Sequence, residues 1–255
     1  MFKQNFEYNV DIVMCIDATS SMAPFIDKIK DDAHLFYGKY VKEMQKVDKS
    51  VQQLRVKVIL FRDFRYDTKP LVESKFFTLP KENEKFCNFV DKIEACGGPE
   101  WQREKIAAYN AGLGTVISTF GISSDSPSVA KPIGNVDGDQ NGLEALALAM
   151  KSDWVREGTV RRHIILLWTD SAPVLLGTGT FSSSYPSDMP ADLAELHEWW
   201  EGQEMESKTK RIILFAPDVY PWSDMIEWQN LFHQESSSGE EMSLDTCIHM
   251  LVHSI

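Results

Sequence analysis

Cysteine is scarce, and none of it is paired along the chain. The four residues, Cys15, Cys87, Cys96 and Cys247, form no CxxC pair, and no histidine stands at zinc-finger spacing from them. A disulfide-stapled mini-domain and a zinc ribbon are excluded, and a reduced, cytoplasmic setting is the expectation. Long apolar runs are absent too. No stretch approaches the roughly 20 residues that a membrane span requires, and the opening MFKQNFEYNV has no apolar leader core. Basic residues are outnumbered, 26 Lys and Arg against 38 Asp and Glu, for a net charge of −12. Nucleic acid is therefore a poor partner, because binding to a phosphate backbone relies on clustered Lys and Arg. A surplus of acid suits cations and basic partners, although its commonest role is solubility. The familiar catalytic strings are missing as well. No glycine-rich phosphate loop with Lys follows the first apolar run, and no G-x-S-x-G elbow occurs. The six histidines (His34, His163, His197, His233, His249, His253) form no recognised motif.

What is present is the material of an α/β protein. With 43% hydrophobic residues among 255, the chain can bury a core of useful size without staples, and a single domain over 1–255 is expected. Four apolar, branched runs read as strands buried on both faces: 10–16 (VDIVMCI), 54–61 (LRVKVILF), 163–168 (HIILLW) and 211–215 (RIILF). Apolar residues at three-to-four spacing predict helices between them, over 22–44, 82–93, 143–154, 193–206 and 224–232. Such alternation predicts a mostly parallel sheet, and the short KFFTL at 75–79 reads as an antiparallel edge strand. Cys15 lies within the first run and reads as a small core residue. Trp199, Trp200, Trp222 and Trp228 read as packing more than interface, and Lys208, Lys210 and Arg211 as a solvated strand entrance. Two stretches, 123–139 and 177–190, are rich in Ser, Pro, Gly and Asp and read as loops.

In an open parallel sheet, ligands bind beyond the carboxyl ends of the strands. The residues that follow each apolar run therefore matter most. After the first comes Asp17-Ala18-Thr19-Ser20-Ser21, one carboxylate and two hydroxyls at alternating positions. Hard oxygen donors that converge in this way suit Mg²⁺, Mn²⁺ or Ca²⁺. The same string can simply cap the helix that follows. After the third run comes Thr169-Asp170-Ser171, so a second carboxylate stands at the same sheet edge if the two strands run parallel. Two facing carboxylates repel unless a cation or proton lies between them. Asp139, just before the helix at 143, can cap that helix or supply a third side of the site. Arg62-Asp63, after the second run, reads as a structural pair that fixes the neighbouring loops.

These residues together resemble the von Willebrand factor A (VWA) domain and its metal-ion-dependent adhesion site, the MIDAS. Its D-x-S/T-x-S motif matches Asp17, Thr19 and Ser21, and its later aspartate matches Asp170. The stretches VDIVMCIDATSSM, LRVKVILFRDF, NGLEALALAMKSDW, RRHIILLWTD and KRIILFAPD look like the bacterial VWA group of the tellurium-resistance type, over nearly the whole chain. In that group Asp139 would occupy the second metal loop. The chain departs from the pattern there. A long insertion at about 99–137, with its own expected helix at 101–117, separates Gly97-Gly98 from Asp139, and Gln140-Asn141 replaces an acidic residue.

The resemblance implies a three-layer Rossmann-like fold: a mostly parallel sheet of about six strands, one antiparallel edge strand, and helices on both faces. It implies metal ligation by Asp17, Thr19, Ser21, Asp139 and Asp170. The ion would be Mg²⁺ (or Mn²⁺, Ca²⁺), with one coordination position left open for a partner's carboxylate. The implied function is a metal-dependent protein-interaction module in a stress or phosphorylation-linked complex, its partner a kinase or phosphatase of the same gene cluster. Two other readings stand beside it: a metal-assisted hydrolase or phosphatase, and a scaffold whose metal site is empty. The position two residues after Asp17 is Thr19, where an aspartyl-phosphate hydrolase needs a second carboxylate, which disfavours the enzyme.

Overall fold

A computed structural model describes residues 7–65, 67, 69–97, 140–202, 205–236 and 244–253. The insertion at 99–137, the helix expected at 101–117, the loop at 123–139 and Asp139 itself lie outside the described residues.

The apolar runs form the strands β1 (Glu7–Asp17), β2 (Ser50–Phe61), β5 (Val160–Trp168) and β6 (Lys210–Ala216). They pair in parallel in the order β2-β1-β5-β6, and a further parallel strand, β7 (Leu231–Glu235), follows β6. At the opposite edge, β3 (Leu71–Glu73) and β4 (Phe77–Leu79) both pair antiparallel with β2, β3 at its carboxyl end and β4 near its middle. They behave as one interrupted antiparallel edge strand, with the expected KFFTL segment supplying its second half. The side chains of β1 explain its central place. Val10, Ile12, Met14 and Ile16 enter one core, while Val13 and Cys15 enter the other. Alternation puts successive side chains on opposite faces, so a strand covered on both sides must be apolar throughout.

Helices cover each face. On the first lie α1 (Ala23–Ala33), α2 (Phe36–Lys46), α3 (Asn83–Val90) and α6 (Leu244–His253). On the second lie α4 (Gly142–Met150), α5 (Leu193–Glu201) and a short 3₁₀ turn at Ser223–Glu227 carrying buried Met225. The result is the expected three-layer α/β architecture. Trp200 and Trp222 are fully buried in the second core, so the packing reading of the tryptophans holds for them. Trp200 spends its indole N–H on the Gln229 carbonyl at 2.7 Å, which answers the need of a buried donor.

Several local expectations are corrected. The helix read over 22–44 is two helices, broken at His34-Leu35, where the Leu35 N–H bonds back to the Asp32 carbonyl in a tight turn. Phe25 and Ile26 before the break and Phe36, Tyr40 and Met44 after it share one core, so the break leaves the apolar phase intact and the pattern does not reveal it. The helix expected at 224–232 is a 3₁₀ turn followed by β7. Lys210 is no solvated entrance residue. It is fully buried, its ammonium donating to the Trp200 carbonyl and lying 4.5 Å from the Trp200 ring centre. Helix α6 was not anticipated. No described helix is long and apolar enough to cross a membrane.

Candidate metal centre

Chain order places β1 beside β2 on one side and beside β5 on the other, so the sheet reverses its winding between β1 and β5. The carboxyl ends of those two strands frame the crevice where such sheets bind ligands. Asp17 is the last residue of β1, and the register pairs Ile16 with Trp168, the last residue of β5. Thr169 and Asp170 therefore emerge beside Asp17. The adjacency that the sequence could only suggest is supplied by the parallel register.

Asp17 is completely buried. Its Oδ1 accepts the Thr19 N–H at 3.0 Å and the Thr19 hydroxyl at 2.7 Å. Its Oδ2 accepts the Thr169 hydroxyl at 2.7 Å. The Thr19 and Ser21 hydroxyl oxygens stand 3.2 Å apart, so two neutral oxygen donors are gathered at one point. Asp170 is half-buried and accepts the Ser171 hydroxyl at 2.9 Å. Burial pushes the Asp17 carboxyl up to about 7; the nearby Asp170 charge adds to the rise, and the hydroxyl bonds from Thr19 and Thr169 oppose it. Desolvation and a like charge both disfavour a carboxylate, and both are relieved by a cation. The capping reading fares worse. The 3₁₀ turn at Ser20–Met22 has Thr19 at its N-cap with no side-chain cap bond, and α1 after it has none either.

The chemistry of the donor set fits a hard divalent ion: carboxylate and hydroxyl oxygens only, with no nitrogen or sulfur among them. Thr19 donates its proton to Asp17 and so accepts from Ser21, which leaves one lone pair of its hydroxyl to face an ion.

Neighbouring loops brace this cluster. Arg62 donates from Nε to the Ala18 and Cys96 carbonyls, from Nη1 to Lys69 and from Nη2 to Glu94, at 2.7–3.1 Å. Ser20 donates to the Gly97 carbonyl at 2.8 Å. Asp63 pairs with Arg65 at 2.7 Å, so Arg62 and Asp63 each fix a loop without pairing together. Asp139 lies outside the described residues. Gln140, next to it in sequence, accepts from Val174 and donates to Ala172 through its backbone, which ties the second loop to the Asp170 loop.

Sequence reasoning passed over several residues that the fold brings here. Thr169 holds Asp17, and the available signal was its place directly after a central strand. Asn141 accepts the Phe64 N–H at 2.8 Å, and Glu144 is fully buried behind the loop. Its Oε1 accepts the Tyr185 hydroxyl at 3.1 Å, while Oε2 is buried with no partner at hydrogen-bond distance among the described residues. Burial pushes the Glu144 carboxyl up to about 7 and the Tyr185 hydroxyl up to about 12.

No family model matches this sequence, and no curated protein matches it. Among solved structures, the chain is similar to part of the pilus adhesin SpaC from Lactobacillus rhamnosus GG. The TM-score is 0.53 at 11% identity, over 98% of this chain and 31% of that one. The fold is VWA-like. PTMP1 of the mussel byssus with a zinc-occupied MIDAS motif has a TM-score of 0.40 at 11% identity, over 98% of this chain and 48% of that one. The vWF domain of the pili tip protein Mfa5 from Porphyromonas gingivalis has a TM-score of 0.36 at 13% identity, over 97% and 96%. The chain spans about a third of the length of SpaC, and at such identities the VWA-like match concerns fold alone.

Proposed function

We propose that this VWA-like chain is a protein-interaction module whose binding site is a divalent ion held at the β1–β5 crevice. Thr19 and Ser21 would bind the ion through their hydroxyls, and Asp17 and Asp170 directly or through water. Asp139 would supply the second loop's ligand. The observation that carries the reading is the completely buried Asp17, set beside Asp170 and laced to Thr19 and Thr169 hydroxyls. A bound Mg²⁺ (or Mn²⁺, Ca²⁺) would supply an electrophilic centre for a carboxylate from the partner. Several neutral ligands keep such an ion attractive to an acidic side chain.

The surroundings favour recognition over catalysis. Hydroxyls of Thr19, Thr169 and Ser171 donate to carboxylates, with no imidazole bonded to any of them. The loops that leave β5 and β6 carry exposed apolar side chains, Leu175, Phe181, Val219 and Tyr220, which suit a protein surface. The partner we assign is a protein presenting an acidic residue, a kinase or phosphatase of the same bacterial stress-linked gene cluster, met in the cytoplasm.

Titration calorimetry with Mn²⁺ tests the site. Asp17→Ala and Asp170→Ala are each expected to weaken binding by roughly 100-fold. Undiminished binding in both would remove the site. Capture of the partner with and without EDTA then separates a metal-dependent module from a scaffold, which keeps its partner when the metal is stripped.

A further inference from the structure

On the first face of the sheet, helices α2 and α6 pack side by side. Their exposed margin brings together three side chains with metal-ligating atoms. His249 and His253 stand four apart on α6, the spacing that stacks two side chains on one helix face. Their ring centres are 4.0 Å apart. Glu43 of α2 faces them, its Oε1 lying 3.6 Å from His249 Nδ1. One ligand atom from each of the three falls within 4.8 Å of the others.

We propose that Glu43, His249 and His253 form a binding site for a late divalent transition metal, zinc foremost, which clamps α6 to α2. The donor chemistry sets the class. Two imidazoles and one carboxylate suit Zn²⁺, Ni²⁺, Co²⁺ and Cu²⁺, whereas Mg²⁺ and Ca²⁺ demand oxygen. Three protein ligands leave a position for water. The two histidines are exposed and Glu43 half-buried, so the metal can enter without opening the fold. The Lys46 ammonium, bonded to the other carboxylate oxygen at 2.6 Å, holds the Glu43 carboxyl below its usual range and so keeps it anionic. Lys39 and Lys42 also line this margin and oppose a cation, with Lys39 partly answered by Asp245 at 3.0 Å. Those lysines make the site weaker than a closed four-ligand one. The site shares no residue with the β1–β5 crevice.

Zinc titration by calorimetry in a large excess of Mg²⁺, which saturates an oxygen site, isolates this one. Wild-type protein and Asp17→Ala are expected to bind one zinc equally well. His249→Ala and His253→Ala should each weaken that binding at least tenfold, and Glu43→Gln by several-fold. These side chains are at the surface, and circular dichroism checks that each variant is folded. The Co²⁺-loaded protein should show the visible d–d bands of nitrogen ligation, and these should vanish in His249→Ala. A second test uses stability: zinc should raise the melting temperature of wild type and leave His249→Ala unmoved. Equal zinc binding by wild type and both histidine variants overturns the proposal. So does zinc binding that appears only with dimerisation in sedimentation, which would mean that two copies share the ion.

Discussion

The two metal-ligating clusters of this molecule are built on opposite principles. At the β1–β5 crevice the donors are oxygens, Asp17 is completely buried, and its position is fixed by parallel strand register and three hydroxyl or amide bonds. On the α2–α6 margin the donors include two imidazoles, the side chains are largely exposed, and helix spacing alone brings His249 beside His253. A buried oxygen site carries a standing electrostatic cost that a cation relieves. An exposed site carries almost none and must rely on ligand softness for its affinity. Substitutions that loosen the interior should therefore act on the first cluster and spare the second.

The largest expected effect is at Arg62. Its guanidinium serves carbonyls on either side of the metal loop, Ala18, Cys96, Lys69 and Glu94. Arg62→Ala takes a donor from the buried Ala18 carbonyl and from three partly buried ones, and should lower unfolding stability by about 3 kcal/mol. Chemical denaturation measures this. The same variant should weaken Mn²⁺ binding by loosening the loop at Ala18, next to Asp17, whose carbonyl then keeps only the Cys96 N–H as a tether, while zinc binding in excess Mg²⁺ stays at the wild-type level. A parallel loss at both clusters would mean that they are not independent.

A smaller effect is expected at Glu144, and it depends on pH. Burial raises its carboxyl from 4.5 to about 7, so between those values the folded chain holds a proton that the unfolded chain has released. The stability that this proton confers is fully present below about pH 4.5 and is lost as pH rises through 7. Glu144→Gln keeps an acceptor for Tyr185 and removes the charge. It should therefore gain about 2 kcal/mol over wild type at pH 8 and nothing below pH 4.5. Denaturation at the two pH values decides the matter; an equal gain at both would mean that packing, and not ionisation, sets the difference.

The comparison also explains what could be read from the sequence. The four apolar runs announced β1, β2, β5 and β6 because a strand covered on both faces must be apolar throughout. The D-x-T-x-S string at Asp17 and the aspartate after β5 were visible for the same reason, since each directly follows such a run. Thr169 was not singled out, because its bond to Asp17 depends on the register of two strands 152 residues apart. The helix expected at 224–232 took in the first two residues of β7: Phe232 and Gln234 are exposed and His233 half-buried at the sheet edge, so the apolar run that marks a central strand is missing. The His249–His253 spacing was in plain view, but it has no meaning without α6, a helix that forms by burying Cys247, Ile248 and Leu251 in the first core. Lys210 shows the opposite failure. A charged residue at a strand entrance reads as solvated until Trp200 is found lying over it.

The smallest expected effect sharpens the exposed cluster. Lys46 reaches Glu43 Oε2 at 2.6 Å, while Oε1 faces His249, so ammonium and metal compete for one carboxylate. Lys46→Ala removes the competitor and one positive charge from the margin. Because an ion pair at the surface is weak and screened, zinc affinity should rise by no more than about fivefold. The gain should shrink as salt is added, since the repulsion that it removes lies within reach of the ionic atmosphere. Titrations at low and high ionic strength measure both quantities. A gain that does not depend on salt would point to a change in Glu43's rotamer freedom, and a loss of affinity would show that Lys46 orients the carboxylate toward the histidines more than it competes with the metal for it.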